Sequence, residues 1–314
     1  MLPLSVEAMN LKSAVALLTL LFASVQPSAA VIRGAMMRVG TIYVSPDATS
    51  AKLGEVDRGR EVAVIQTSPG WLNVEAQLTQ DRVLTGWILD KGVVQSSTPN
   101  GDMILFGEAV DSEDQASQRH GRRGAAQDAL RLYYEVSQLF PSSPIAGEAM
   151  YRSADIRWQI EKVDVMSRPS AHEKEAYLRE GMNEDYFEEV MKKYKGTKWA
   201  DLAAFHLIDN KLCGDWQGAS KCPEKEAEMY EKYAKDRPNS PAVAEALYDA
   251  AWRLSVLIEI YKTEDQPKKS EESRVKAIAL AQRASQASQG DWAARAQRLL
   301  YLIQQGVPTY GNAE

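Results

Sequence analysis

Tyr133-Tyr134-Glu135-Val136, then Phe140-Pro141-Ser142-Ser143-Pro144, then Gly147, Ala149, Tyr151 and Ala154 follow one another in a single stretch. The pattern returns as Tyr230, Tyr233, Pro238-Asn239-Ser240-Pro241, Ala244, Ala246, Tyr248 and Ala251. A weaker copy lies between these two: Phe187, Val190, Tyr194, Thr197, Lys198, Ala200, Ala203 and Phe205. A fourth runs from Ser273 to Gln305, with Gly290-Asp291-Trp292 in place of the Pro-rich turn. Recurrence on this scale marks stacked units that bury a continuous core between neighbours.

The turn in each copy has a physical reading. Ser143, Thr197 and Ser240 share one repeat position, where a hydroxyl can accept a hydrogen bond from an early backbone N–H of the next helix. Pro144 and Pro241 follow at the expected first helical position, where a missing N–H costs nothing. Pro141 and Pro238 stop the preceding helix. Each copy is therefore expected to be helix, capped turn, helix. In the second helix small residues recur at 147, 154, 244 and 251, with Tyr151 and Tyr248 between them. Small residues let a paired helix approach while a ring fills the neighbouring gap. Tyr151, Phe205 and Tyr248 are thus expected to serve packing and to be largely buried.

These residues resemble tetratricopeptide repeats, in the periplasmic form with a Pro-x-Ser-Pro turn. The resemblance covers residues 124–306, with residues 161–182 and the loop between Cys213 and Cys222 as insertions. It implies a curved helical stack whose concave face holds peptides or partner proteins.

Residues 36–97 follow a different rule. Thr41-Ile42-Tyr43-Val44 is strand-like and ends at Ser45-Pro46-Asp47, a turn signal. Lys52 to Val56, Glu61 to Gln66, Trp71 to Glu75 and Thr85 to Leu89 are further short strands, and Val62 and Val64 share one face. Gly59-Arg60-Glu61-Val62-Ala63-Val64, Gly70-Trp71-Leu72-Asn73-Val74 and Gly86-Trp87-Ile88 resemble the bacterial Src-homology-3 domain family in order and spacing. The resemblance implies a small β-barrel, and a wall-peptide or targeting surface. Tyr43, Trp71 and Trp87 are the candidate binding residues. The alternative role for the two tryptophans is packing, at a barrel end or against the helices. The whole is expected to be an all-β Src-homology-3-like barrel joined to an all-α tetratricopeptide-like repeat domain. Residues 98–123 form a linker or connecting helix with Met103, Phe106 and Val110 on one side, and 307–314 form a tail.

Residues 1–30 have the form of a secretory signal: Lys12, an apolar run from Ala14 to Ala23, and small residues at Ser28-Ala29-Ala30. The run is too short to span a bilayer comfortably, so the expectation is export to the periplasm or outside, with a soluble mature chain. Cys213 and Cys222 are the only 2 cysteines. In an oxidising compartment they are expected to pair. Two free thiols or a metal pair are the alternatives, and no His or further Cys lies nearby to complete a metal site.

The net charge of −6 argues against nucleic acid as a partner, because phosphate binding needs clustered Lys and Arg. His120, His172 and His206 are scattered, and no phosphate loop, nucleophile elbow or His-Glu-x-x-His motif occurs. No cofactor, metal or catalytic residue is therefore expected. The expected role is a non-enzymatic envelope scaffold that holds a protein partner by its repeats and a wall peptide by its barrel. A dedicated peptidoglycan-recognition protein and an accessory subunit of a wall enzyme are the alternatives.

Overall fold

The computed structural model describes residues 31–79, 81–287 and 289–309. The signal-like segment 1–30 and the end of the tail lie outside the described residues. Seven antiparallel strands come first: β1 Ile32–Met36, β2 Gly40–Tyr43, β3 Lys52–Val56, β4 Glu61–Ser68, β5 Trp71–Thr79, β6 Arg82–Leu89 and β7 Val93–Gln95. Their order in the sheet is β3-β2-β6-β5-β4-β1-β7. Alternation decides which side is buried. Val62 and Val64 of β4, Leu72, Val74 and Ala76 of β5, and Ile88 of β6 all enter one core. Val56 of β3 and Val93 of β7, from opposite ends of the sheet, enter the same core, so the sheet is strongly curled. Among the described residues no ladder joins β3 to β7.

Nine α-helices follow among the described residues: α1 Gly101–Ser117, α2 Ala125–Leu139, α3 Ala146–Met166, α4 Asp185–Lys193, α5 Lys198–His206, α6 Lys221–Asp236, α7 Val243–Thr263, α8 Pro267–Ala287 and α9 Asp291–Gln304. The four sequence copies are the pairs α2–α3, α4–α5, α6–α7 and α8–α9. Each helix packs chiefly on its neighbours in the chain, as in a repeat array.

Three local expectations are corrected. The second helices begin at Ala146 and Val243, two residues beyond the prolines. Ser240 Oγ accepts from Ala242 N at 3.1 Å and Ser143 Oγ from Ile145 N at 3.4 Å. Both bonds close the turn just before the helix, because the carbonyls of Ser143 and Ser240 already accept from Ala146 N and Val243 N. Thr197 does flank α5, but its hydroxyl donates backwards to Tyr194 O at 2.7 Å. The second concerns 98–123, where the expected helix forms as α1 with Phe106 and Val110 against the shared core but Met103 outside it. Helix α1 is part of the folded core: Leu105 and Ala109 are wholly buried, whereas Met103 is 57% exposed. The third concerns the tail, where Thr309 is buried and bonded through Oγ1 to Ser255 Oγ of α7 at 2.7 Å.

Sheet and stack share a core. Ala35 of β1 and Val94 of β7 join Leu105, Ala109, Leu132 and Tyr133. Glu108 of α1, 7% exposed, lies 3.1 Å from both Arg38 and Arg58, in the connections that follow β1 and β3. Gly59 sits at φ +71°, where an added Cβ would stand 2.6 Å from Arg131 Cβ of α2, so only glycine lets this turn press on the helix. Arg131 Nε in turn donates to Arg58 O at 2.9 Å. The sheet is thereby held against α1 and α2, which positions everything described next.

Candidate functional site

Strand β5 keeps strict alternation along its length. Leu72, Val74 and Ala76 are buried, while Trp71, Asn73, Glu75, Gln77 and Thr79 lie on the outer face. Trp87 of β6 is paired with Asn73 and with Tyr43 of β2. Gly86 makes this possible, since a Cβ there would meet Ile42 and the Tyr43 carbonyl at 2.6 Å. The Tyr43 and Trp71 rings meet edge to face with centroids 5.6 Å apart. The three residues named from sequence are thus brought together, half-buried, on one open face. None of them belongs to the sheet core or to the core shared with the helices. Their half-burial is compatible with the alternative role, packing at a barrel end. Between them, the Asn73 side-chain oxygen is buried and has no hydrogen-bond partner in the structure among the described residues. Rings with polar edges on an open face can hold an extended peptide, ring faces against its side chains.

Further along β5 the same outer face reaches a cleft of about 800 Å³, closed on its far side by α2, α3 and α4. Glu135 on α2, Arg157 on α3 and Arg60 on β4's leading edge line it. Sequence reasoning missed these three as site residues. One signal was present: Glu135 occupies the apolar stripe of α2 with Leu132 and Val136, where a carboxylate is out of place.

The packing residues separate. Tyr151, Phe205 and Tyr248 are half-buried, less than expected, because each ring bridges neighbouring repeats at the margin of the core. Tyr151 stacks on Trp199 at 5.5 Å and bonds through Oη to His206 Nε2 at 3.0 Å. Phe205 lies 5.1 Å from the Tyr233 ring. Tyr248 lies 5.4 Å from Trp292. His206 also stacks on Phe187 at 4.8 Å, and burial lowers its basicity against the pull of Asp155 and Asp209.

Cys213 and Cys222 are paired, with Cα atoms 6.1 Å apart. The loop they close is anchored on Glu226, 2% exposed. Its Oε1 accepts from Cys213 N at 2.9 Å and Trp216 Nε1 at 3.1 Å, and its Oε2 from Arg253 Nε at 2.7 Å. A buried carboxylate of this kind needs every one of those donors. Among the described residues no cluster of three or more metal-ligating side chains occurs, and no helix is long and apolar enough to cross a membrane.

No protein-family model and no curated protein matches the chain. Among solved structures it is similar to the DHF58 filament, at 17% identity and a TM-score of 0.23, over 65% of this chain and 91% of that one. A de novo designed helical repeat protein, DHR64, gives 16% identity and a TM-score of 0.21 over 66% of this chain and 95% of that one. At such scores neither likeness bears on what this chain does.

Proposed function

We propose that the protein is a non-enzymatic adaptor of the bacterial cell envelope, exported and working outside the cytoplasm. The sheet is read as a Src-homology-3-like barrel and the helix pairs as tetratricopeptide-like repeats. The helical stack holds a protein partner, and the outer face of β2, β6 and β5 holds an extended peptide, from the wall or from a second protein. The observation that carries this reading is the open aromatic face of Tyr43, Trp71 and Trp87. The paired cysteines fit an oxidising compartment. Wall peptide is favoured as the face's ligand because flat rings recognise a backbone with small side chains, without demanding long ones.

The test is a pull-down on purified peptidoglycan together with crosslinking in native cells. The intact protein should be retained by the wall and crosslink to a protein partner through the helices. Trp71→Ala combined with Trp87→Ala should abolish wall retention and leave the partner crosslink intact. Equal retention of that double variant overturns the role of the face. Turnover of a wall substrate by the purified protein overturns the adaptor reading.

A further inference from the structure

The insertion at 161–182 folds back on the segment that leads from α5 into the disulfide loop. Between them lies a pocket of about 210 Å³, and every residue lining it comes from 162–182 or 209–214. The pocket is thus built by the segments that interrupt the repeat pattern. The two segments are clamped together. Asn210 Oδ1 accepts from Met182 N at 3.0 Å, and its Nδ2 donates to Met182 O at 2.8 Å. Gly214 N donates to Lys174 O at 3.3 Å. A Cβ on Gly214 would stand 2.3 Å from Glu173 O, so glycine permits this close approach. Cys213, in the same wall, is held to Cys222 of α6.

Val165, Met166, Ala171, Ala176, Met182 and Leu212 make the walls apolar. Of the charged groups in the lining, Lys162 and Asp209 neutralise each other at 3.0 Å, and Glu180 is paired with Arg168. Arg179 differs. Its Nη2 donates to Leu212 O, which ties the guanidinium to the wall. Its Nε is buried without a hydrogen-bond partner, and among the described residues no carboxylate stands at ion-pair distance. A half-buried cation beside apolar walls is costly until an anion meets it.

We propose that this pocket binds a carboxylate carried on a small branched aliphatic body, with Arg179 taking the carboxylate and Val165, Met166, Met182 and Leu212 holding the body. A guanidinium matches a carboxylate edge, and the bond to Leu212 fixes it in advance. A dianion is disfavoured, because its second charge would meet Asp209 and Glu180, whose cations are already engaged. At about 30 Å³ for each water-sized group, the volume suits a body of about seven non-hydrogen atoms, a branched acid of about five carbons. The same chemistry is offered by a free aliphatic acid and by the last residue of a partner's chain. The site shares no residue with the aromatic face and stands whether or not that face binds wall peptide.

The experiment is a titration of the whole protein, by calorimetry and by NMR of the arginine Nε–H signals. Its probes are isovalerate, isovaleramide, sulfate, and N-acetyl-alanyl-leucine with a free C-terminus. At least one of the two carboxylic acids should bind saturably at about 1 mM or tighter and shift the Arg179 signal. The amide and sulfate should bind at least about tenfold more weakly, and Arg179→Gln should weaken the acid by a similar factor. Arg179 also holds Leu212, so a second variant leaves it in place. Ala176→Leu fills the pocket and should weaken binding about tenfold, at a melting temperature unchanged or raised. Tighter binding of isovalerate supports a free acid as ligand; tighter binding of the peptide supports a partner's last residue. Absence of saturable binding by both acids, amide or sulfate binding as tightly as the acid, or undiminished affinity in Ala176→Leu overturns the proposal.

Discussion

The sheet and the helical stack place their aromatic residues on opposite sides. In the sheet the core is aliphatic, led by Ile42, Val56, Val62, Val74 and Ile88, and the rings of Tyr43, Trp71 and Trp87 lie outside it. In the stack large rings join the alanines and leucines of the core: Trp158, Tyr133, Phe187 and Tyr261 are almost wholly buried. The cause is geometric. A small curled sheet encloses little space, which short branched side chains fill from alternate positions. Helices pack at 8–10 Å, and a small residue on one leaves a gap that a ring on the next can fill. In this chain the most buried rings sit on helices, and the strand rings Tyr43, Trp71 and Trp87 lie outside the sheet core.

That contrast can be broken at its strongest point. Trp158 is 1% exposed and meets the Phe187 ring at 5.2 Å. Trp158→Ala should cost about 3–5 kcal/mol of stability, measured by denaturant unfolding. A loss below about 1 kcal/mol would mean that the rings of α3 and α4 do not hold the stack together. A smaller effect should follow reduction of Cys213–Cys222, whose sequence separation is 9. Freeing so short a loop should cost about 2–3 kcal/mol, and it also loosens the Cys213 N–H that Glu226 uses. If mild reductant left the melting temperature unmoved, the Glu226–Arg253 pair alone holds the loop.

Acidity should act more gradually. Burial, then Glu61, push Glu135 up to about 8; burial, then Asp249, push Glu245 up to about 7. Asp249 is pushed up to about 6 by burial, against Arg253. Each carboxyl holds its proton more tightly folded than unfolded. The stability they contribute is complete below the ordinary carboxylate range and is lost as pH rises through these values. Denaturant midpoints should therefore decline from about pH 5 to about pH 8, and Glu135→Gln should flatten the upper part. A midpoint that climbs across that range contradicts the burial of these groups.

How much of this was legible in the sequence depended on the range of the interaction. The helix pairs were visible because Tyr133, Pro141 and Ala149 recur as Tyr230, Pro238 and Ala246, and the middle strands because Val62, Val64 and Leu72 alternate with polar neighbours. Strand β1 was not, since Ile32-Arg33-Gly34-Ala35-Met36 has no clean alternation: β1 is covered by the sheet core on one face and by α1 and α2 on the other. The aromatic face was legible as three residues, but not as a face, because the pairing of Tyr43 with Trp87 depends on register across the sheet. The cleft was hidden for the same reason. Arg60, Glu135 and Arg157 are far apart in the chain, and the docking of Gly59 on Arg131 together with the packing of α2 on α3 puts them along one cleft. The exact capping of the second helices escaped because Ser-Pro at a turn fits either a cap or the tight turn found here.

The smallest expected change in stability belongs to Trp71, and it sharpens the contrast most. Its ring is half-buried and touches Tyr43 edge-on. Trp71→Ala should shift unfolding by under about 1 kcal/mol, as for a surface substitution, since no cavity opens in the core of Leu72, Val74 and Ile88. Wall retention should nevertheless fall, because the ring supplies contact area that nothing else on the face replaces. Trp158→Ala, at comparable loss of side-chain volume, should do the reverse at low temperature: destabilise heavily yet leave retention intact while the chain stays folded. Measured side by side, the two variants separate surface from scaffold. If Trp71→Ala proved as destabilising as Trp158→Ala, the aromatic face would be part of the sheet's own packing, and the alternation along β5 would have been assigned to the wrong sides.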